Sequence, residues 1–132
     1  MDKIYYGAAL YPELWDKATV TKDIKHMHAL GMNLVRIGEF AWSTFEPNCD
    51  EFDLSILDFT INEAYAQNID TIVCIPTATP PIWMTHGFEE RLHHDEAGNA
   101  FVHGSRQHIC TNNEYFRKRS VKITEKIVEK IK

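Results

Sequence analysis

Val35-Arg36-Ile37-Gly38-Glu39-Phe40-Ala41-Trp42-Ser43, followed by Glu46-Pro47, decides how this chain is read. An apolar run ends abruptly in an arginine, a carboxylate and two aromatic residues. Parallel strands covered on both faces read as apolar runs. Charge then enters where such a strand emerges at its C-terminal end, the end at which barrels of alternating strands and helices place their active sites. Residues 32–37 are therefore assigned to a strand, and the residues after it to a loop that carries chemistry.

Working outward, the same alternation recurs on both sides. Residues 5–11 read as a first strand that enters a loop at Pro12-Glu13-Leu14-Trp15. Val20, Ile24, Met27 and Leu30 then recur at helical spacing, and Gly31 supplies the stop. Asp53 reads as the N-cap of a second helix with Leu57, Ile61, Ala64 and Tyr65 on one side. Asn68 stands where glycine often follows a helix. Residues 71–75, Thr-Ile-Val-Cys-Ile, read as a third strand with two-sided burial.

A long stretch, 76–110, follows this strand, and loops of such length inside a compact domain are usually functional or disordered. The turn signal Glu96-Ala97-Gly98-Asn99, between Leu92 and Val102, predicts a small hairpin within it. Thr111-Asn112-Asn113-Glu114 fits a capping box opening a third helix, with Tyr115, Phe116, Ile123, Ile127 and Ile131.

Composition narrows the class. The chain has 132 residues, 44% hydrophobic and 25% charged, with a net charge of −5, values ordinary for one soluble globular domain. With no basic block, nucleic acid and anionic membranes are excluded as expected partners. There is no apolar run of membrane-spanning length, and Met1-Asp2-Lys3-Ile4 does not begin a signal peptide. Cys49, Cys74 and Cys110 are odd in number and far apart, which suggests no disulfide framework and fits a reducing cytoplasm.

Three strand–helix units in a row imply parallel strands joined by right-handed crossovers. Two α/β architectures fit: a small open sheet, complete as it stands, or the first three βα units of a (β/α)8 barrel, which needs about 250 residues. The loops after the strands are rich in Trp, Glu, Arg and Pro, whereas the helix-to-strand loops are short and bare. That asymmetry fits a barrel with one working face, truncated here after the third helix.

Tyr6-Gly7, Tyr11-Pro12-Glu13, the 35–43 run, Glu46-Pro47, Pro76-Thr77-Ala78-Thr79-Pro80-Pro81-Ile82-Trp83 and Gly104-Ser105-Arg106-Gln107-His108-Ile109-Cys110 occur in one order and spacing. Together they resemble the N-terminal part of a glycoside hydrolase of family 42, across essentially all of residues 1–132. The resemblance implies a retaining β-galactosidase that hydrolyses terminal β-D-galactosyl residues on a (β/α)8 barrel. It needs no cofactor for the reaction and is commonly a homotrimer.

Retention requires two carboxyl groups about 5–5.5 Å apart, an acid/base and a nucleophile. The resemblance places both on glutamates at later strand ends. Asn62-Glu63 and Asn113-Glu114 do not follow strands and do not match the family's acid/base pair. The segment is therefore expected to lack both catalytic residues and to be inactive alone.

The resemblance assigns Arg36 to the end of the second strand near the nucleophile, where a guanidinium holds a carboxylate ionised and oriented. It assigns Arg106 to galactose contact. It makes Cys110 one of four ligands of a structural zinc in some members, the other three lying beyond Lys132.

Other residues keep two readings. Glu39 with Glu13 or Glu46 could form the carboxylate pair of a different hydrolase, or each could bond a loop backbone or an arginine. Trp42 and Trp83 could stack on a sugar or brace the loops. His86, His93, His94, His103 and His108 lie in the long loop without metal-ligand spacing and read as solvated or packing residues. A complete small sugar- or protein-binding domain remains the alternative to the enzyme segment.

Overall fold

The computed structural model describes residues 3–132. Met1 and Asp2, at the start of the stretch read as lacking a signal peptide, lie outside the described residues. In chain order the elements are β1 (Gly7–Ala9), α1 (Lys17–Ala29), β2 (Leu34–Ile37), α2 (Trp42–Phe45), α3 (Ser55–Ala66), β3 (Asp70–Val73), α4 (Ile82–Thr85) and α5 (Glu114–Ile131). Short 3-10 turns occupy Pro12–Leu14 and Glu89–Arg91. The described residues form two compact units, one of residues 3–39 and 55–74, the other of 40–54 and 75–132.

The first unit holds a parallel sheet in the order β1-β2-β3. Its strands are shorter than the sequence predicts, yet the pairing runs past their ends. Tyr6 N–H donates to the Asn33 side chain at 2.8 Å, and Leu10 N–H to the Arg36 carbonyl at 2.9 Å. Cys74 N–H donates to the Ile37 carbonyl at 2.9 Å. Gly7 is required by close approach, because a Cβ there would fall 1.8 Å from the Leu34 carbonyl oxygen.

α1 begins at the Asp16 cap, whose carboxylate accepts from Thr19 N–H at 2.8 Å. It buries Val20, Ile24 and Met27. Leu30, expected on the same face, is exposed because it forms the C-cap, followed by Gly31 at φ +76°. α3 starts at Ser55, two residues after Asp53, and its buried side is Leu57, Thr60 and Ala64. Tyr65, expected there, is exposed. Asn68 adopts φ +56°, the conformation expected of the glycine position after a helix.

The expected two-sided burial is not found. Val35 and Ile37 are buried while Arg36 between them is exposed. In β3, Ile72 is 46% exposed. α3 packs on β3 and on α1, so the helices cover one sheet face. On the other face Ala9, Arg36 and Ile72 share one row of the register. Burial of each aliphatic side chain on the covered face contributes roughly 1.5–3 kcal/mol.

The second unit contains α2, α4, α5 and the long loop, with Trp42, Phe45, Met84, Ile109, Ile123 and Ile127 among its buried side chains. The N-cap of α5 is Asn113, whose side chain accepts from Phe116 N–H at 3.1 Å. The expected Thr111 box is thus displaced by two residues. Phe116, Arg119, Ile123 and Ile127 form the buried stripe of α5, and Ile131 is exposed. The expected hairpin is present as isolated antiparallel bridges, Leu92↔Ile109 and His94↔Ala100, without regular strands. Asp95 closes its tip by accepting from Ala97 N–H and Asn99 N–H at 2.9 and 2.8 Å.

Candidate functional site

The site residues anticipated from sequence fall in different units. In the first, Arg36 leaves the uncovered face of β2, and its Nη2 meets Glu39 Oε2 at 2.7 Å. Their side chains keep 45% and 26% exposure, so this strand-end pair is open to solvent. Glu39 therefore bonds an arginine. Cys74, at the end of β3, is part-buried, and burial pushes its thiol up, a nearby Arg36 charge only partly opposing this. Glu13, in the turn after β1, also has its carboxyl pushed up by burial. Its Oε2 is buried with no hydrogen-bond partner among the described residues.

In the second unit, Arg106 lies on the turn after Gly104, its guanidinium carbon 4.5 Å from the Phe40 ring centroid. No carboxylate among the described residues pairs with it. Arg106 and Phe40 line a cavity of about 360 Å³ together with Ser43, Thr79, His103 and His108. An open cation, an aromatic face and hydroxyls suit a polyhydroxylated ligand: fixed N–H donors bond hydroxyl oxygens, and a ring face packs on C–H surface. His108 is 1% exposed, and burial pushes its imidazole down from its ordinary value.

Glu46 forms the other polar centre of this unit. It is fully buried. Its carboxylate accepts from Trp42 Nε1–H and Asp50 N–H, each at 2.9 Å, and is ion-paired with Arg119. Arg119 also donates to Asp50 Oδ1 at 2.6 Å, and Lys122 pairs with the same carboxylate. The Glu46 carbonyl accepts from Trp83 Nε1–H at 3.0 Å. Glu46 is thus sealed from substrate. Both indole N–H groups are committed to it, which makes Trp42 and Trp83 braces of the loop. Arg119 was not singled out from sequence; its signal was a charge in the row Phe116, Ile123, Ile127.

Cys110 is a partly buried free thiol. The one group of three potential metal ligands among the described residues is Glu46, Cys49 and Asp50, which does not include Cys110. Two of its members are already engaged by Arg119 and Lys122. Zinc in a structural site takes four ligands, so the described residues do not constitute such a centre. No helix among them is long and apolar enough to cross a membrane.

Residues 9–132 match the glycoside hydrolase family 42 profile, described as beta-galactosidase. The chain is 50% identical over 131 residues to beta-galactosidase YesZ of Bacillus subtilis, covering 99% of this chain and 20% of that protein. It is 49% identical to the YesZ of Bacillus licheniformis, with 98% and 20% covered. The solved beta-galactosidase of Halorubrum lacusprofundi superimposes with a TM-score of 0.89 at 32% identity, over 96% of this chain and 19% of that one. The chain spans about one fifth of the length of the relatives it matches. It belongs to the family 42 glycoside hydrolases, the beta-galactosidases.

Proposed function

We propose that this chain is the N-terminal fifth of a retaining β-galactosidase and supplies the first three βα units of its (β/α)8 barrel. The uncovered sheet face, with Arg36 and Ile72 in one row, supports that reading, since barrel strands turn one face to a filled interior. The reacting glutamates then lie outside residues 1–132. In this reading Arg36 holds a carboxylate at the centre of the barrel, and Cys110 gives one thiolate to a structural zinc completed by ligands outside the chain. The whole enzyme works in the cytoplasm as a homo-oligomer.

The observation that carries the function is Arg106: a cation with no carboxylate partner among the described residues, laid on an aromatic ring at the edge of an open cavity. Its planar donors bond galactose hydroxyls and strengthen as the ring flattens toward an oxocarbenium-like transition state. In the full-length enzyme, Arg106→Ala should cost on the order of 2–4 kcal/mol of transition-state stabilisation, with the melting temperature nearly unchanged. Arg106→Lys should rescue poorly because it lacks the planar fork. A kcat/KM within about twofold of wild type for alanine would remove Arg106 from the substrate site.

A further inference from the structure

The turn that carries Arg106 is closed by a buried ring. His108 Nδ1 lies 3.0 Å from the Ser105 carbonyl oxygen. A carbonyl oxygen only accepts, so Nδ1 carries the proton and Nε2 of the neutral ring is a bare lone pair. The imidazole therefore bridges the ends of the four-residue segment Ser105 to His108, with Arg106 inside it.

The other flank is fixed as well. Gln107 sits at φ +56°, a conformation that a non-glycine residue keeps only where its surroundings over-determine it. Its N–H donates to the Ala78 carbonyl at 2.8 Å. His108 is itself held in place: the His103 ring meets it edge-on at 5.1 Å between centroids, and its carbonyl accepts from His93 N–H at 2.9 Å. Exposed turns are ordinarily closed by Asn, Asp or Ser side chains. A buried imidazole, with one ring nitrogen committed to the backbone beside Arg106, makes a stiffer clamp.

We propose that His108 is a positioning residue for Arg106: its Nδ1–H bond to Ser105 sets the backbone that holds the guanidinium over Phe40 at the cavity wall. The inference rests on Arg106 being a sugar ligand, as argued above. His108 need not touch the sugar; it acts through the arginine. Catalytic groups misplaced by about 1 Å lose on the order of 100-fold in rate, which gives the clamp its consequence.

The test is a kinetic cycle in the full-length enzyme with a nitrophenyl β-galactoside, melting temperature measured beside kcat and KM. His108→Ala should lower kcat/KM on the order of 10- to 100-fold. His108→Asn keeps an N–H donor near the position of Nδ1 and should recover most of that loss. His108→Asp, of nearly the same shape, cannot donate when ionised and should not recover it. In an Arg106→Ala background, His108→Ala should add less than about twofold, because the two residues act as one unit.

Additive losses, or equal activity of the Asn and Asp variants, would overturn the clamp. If His108→Ala fails to fold, the Asn and Asp variants carry the same comparison. A damaging Arg106→Ala with a harmless His108→Ala would overturn the clamp alone and leave the sugar contact standing. A harmless Arg106→Ala would overturn both.

Discussion

Two arginine–carboxylate pairs, one in each unit, show how similar side chains take different work from their surroundings. Arg36 and Glu39 sit three residues apart at a strand end and remain partly solvated. Glu46 and Arg119 come from a loop and a distant helix, and both are sealed from water. In the open pair, solvent screens the attraction and the groups stay available to a third partner. In the closed pair, every oxygen of Glu46 is committed, and the pair locks α2 to α5. Glu13 adds a third case, a part-buried carboxyl with burial acting on it and one oxygen without a hydrogen-bond partner among the described residues.

The closed pair should give the largest effect. Removing one partner leaves the other charge buried, which costs about 3–5 kcal/mol. Arg119→Ala should therefore lower stability by about that much in chemical denaturation. A loss under about 1 kcal/mol would mean that the pair is no more closed than Arg36–Glu39. Glu39→Gln should change stability by no more than about 1 kcal/mol, the range of exposed pairs. A larger loss would erase the distinction between the two regions.

The smallest effect belongs to Glu13 and is read as a slope. Its folded-state pKa is raised, so the native protein holds the proton at pH values where the unfolded chain has released it. Its contribution is fully present below the ordinary carboxylate pKa and is lost as pH rises through the raised value. Glu13→Gln should remove that decline. The difference between wild-type and variant stability, measured from pH 4 upward (roughly the unperturbed carboxylate range), should fall for wild type. A flat difference curve would show that Glu13 is solvated as an ordinary carboxylate.

What could be read from sequence was local. Gly31 and Asn68 marked helix ends and do adopt positive φ. Three strands separated by helices were legible from their order. One-sided burial was not, because Thr71-Ile72-Val73 is apolar enough to be covered on either face, and only the register puts Ile72 beside Arg36. The start of α5 slipped by two residues, where Thr111 offered a plausible cap and Asn113 took the position instead. The structural reading of Glu46 was available as one of two. Its partner was not, since Arg119 lies far along the sequence on α5 and nothing local links the two. His108 was grouped with four other loop histidines, and only its burial and its Ser105 contact separate it from them.

Hydrolysis of a chromogenic β-galactoside, assayed with the purified 132-residue chain and with the full-length enzyme, tests most directly whether the reacting carboxylates lie outside this segment. The full-length enzyme should turn the substrate over, and should still do so after Glu39→Gln. The isolated chain should show no turnover. Activity that follows the isolated chain through purification and disappears with Glu39→Gln would contradict the assignment and place the chemistry at the open pair.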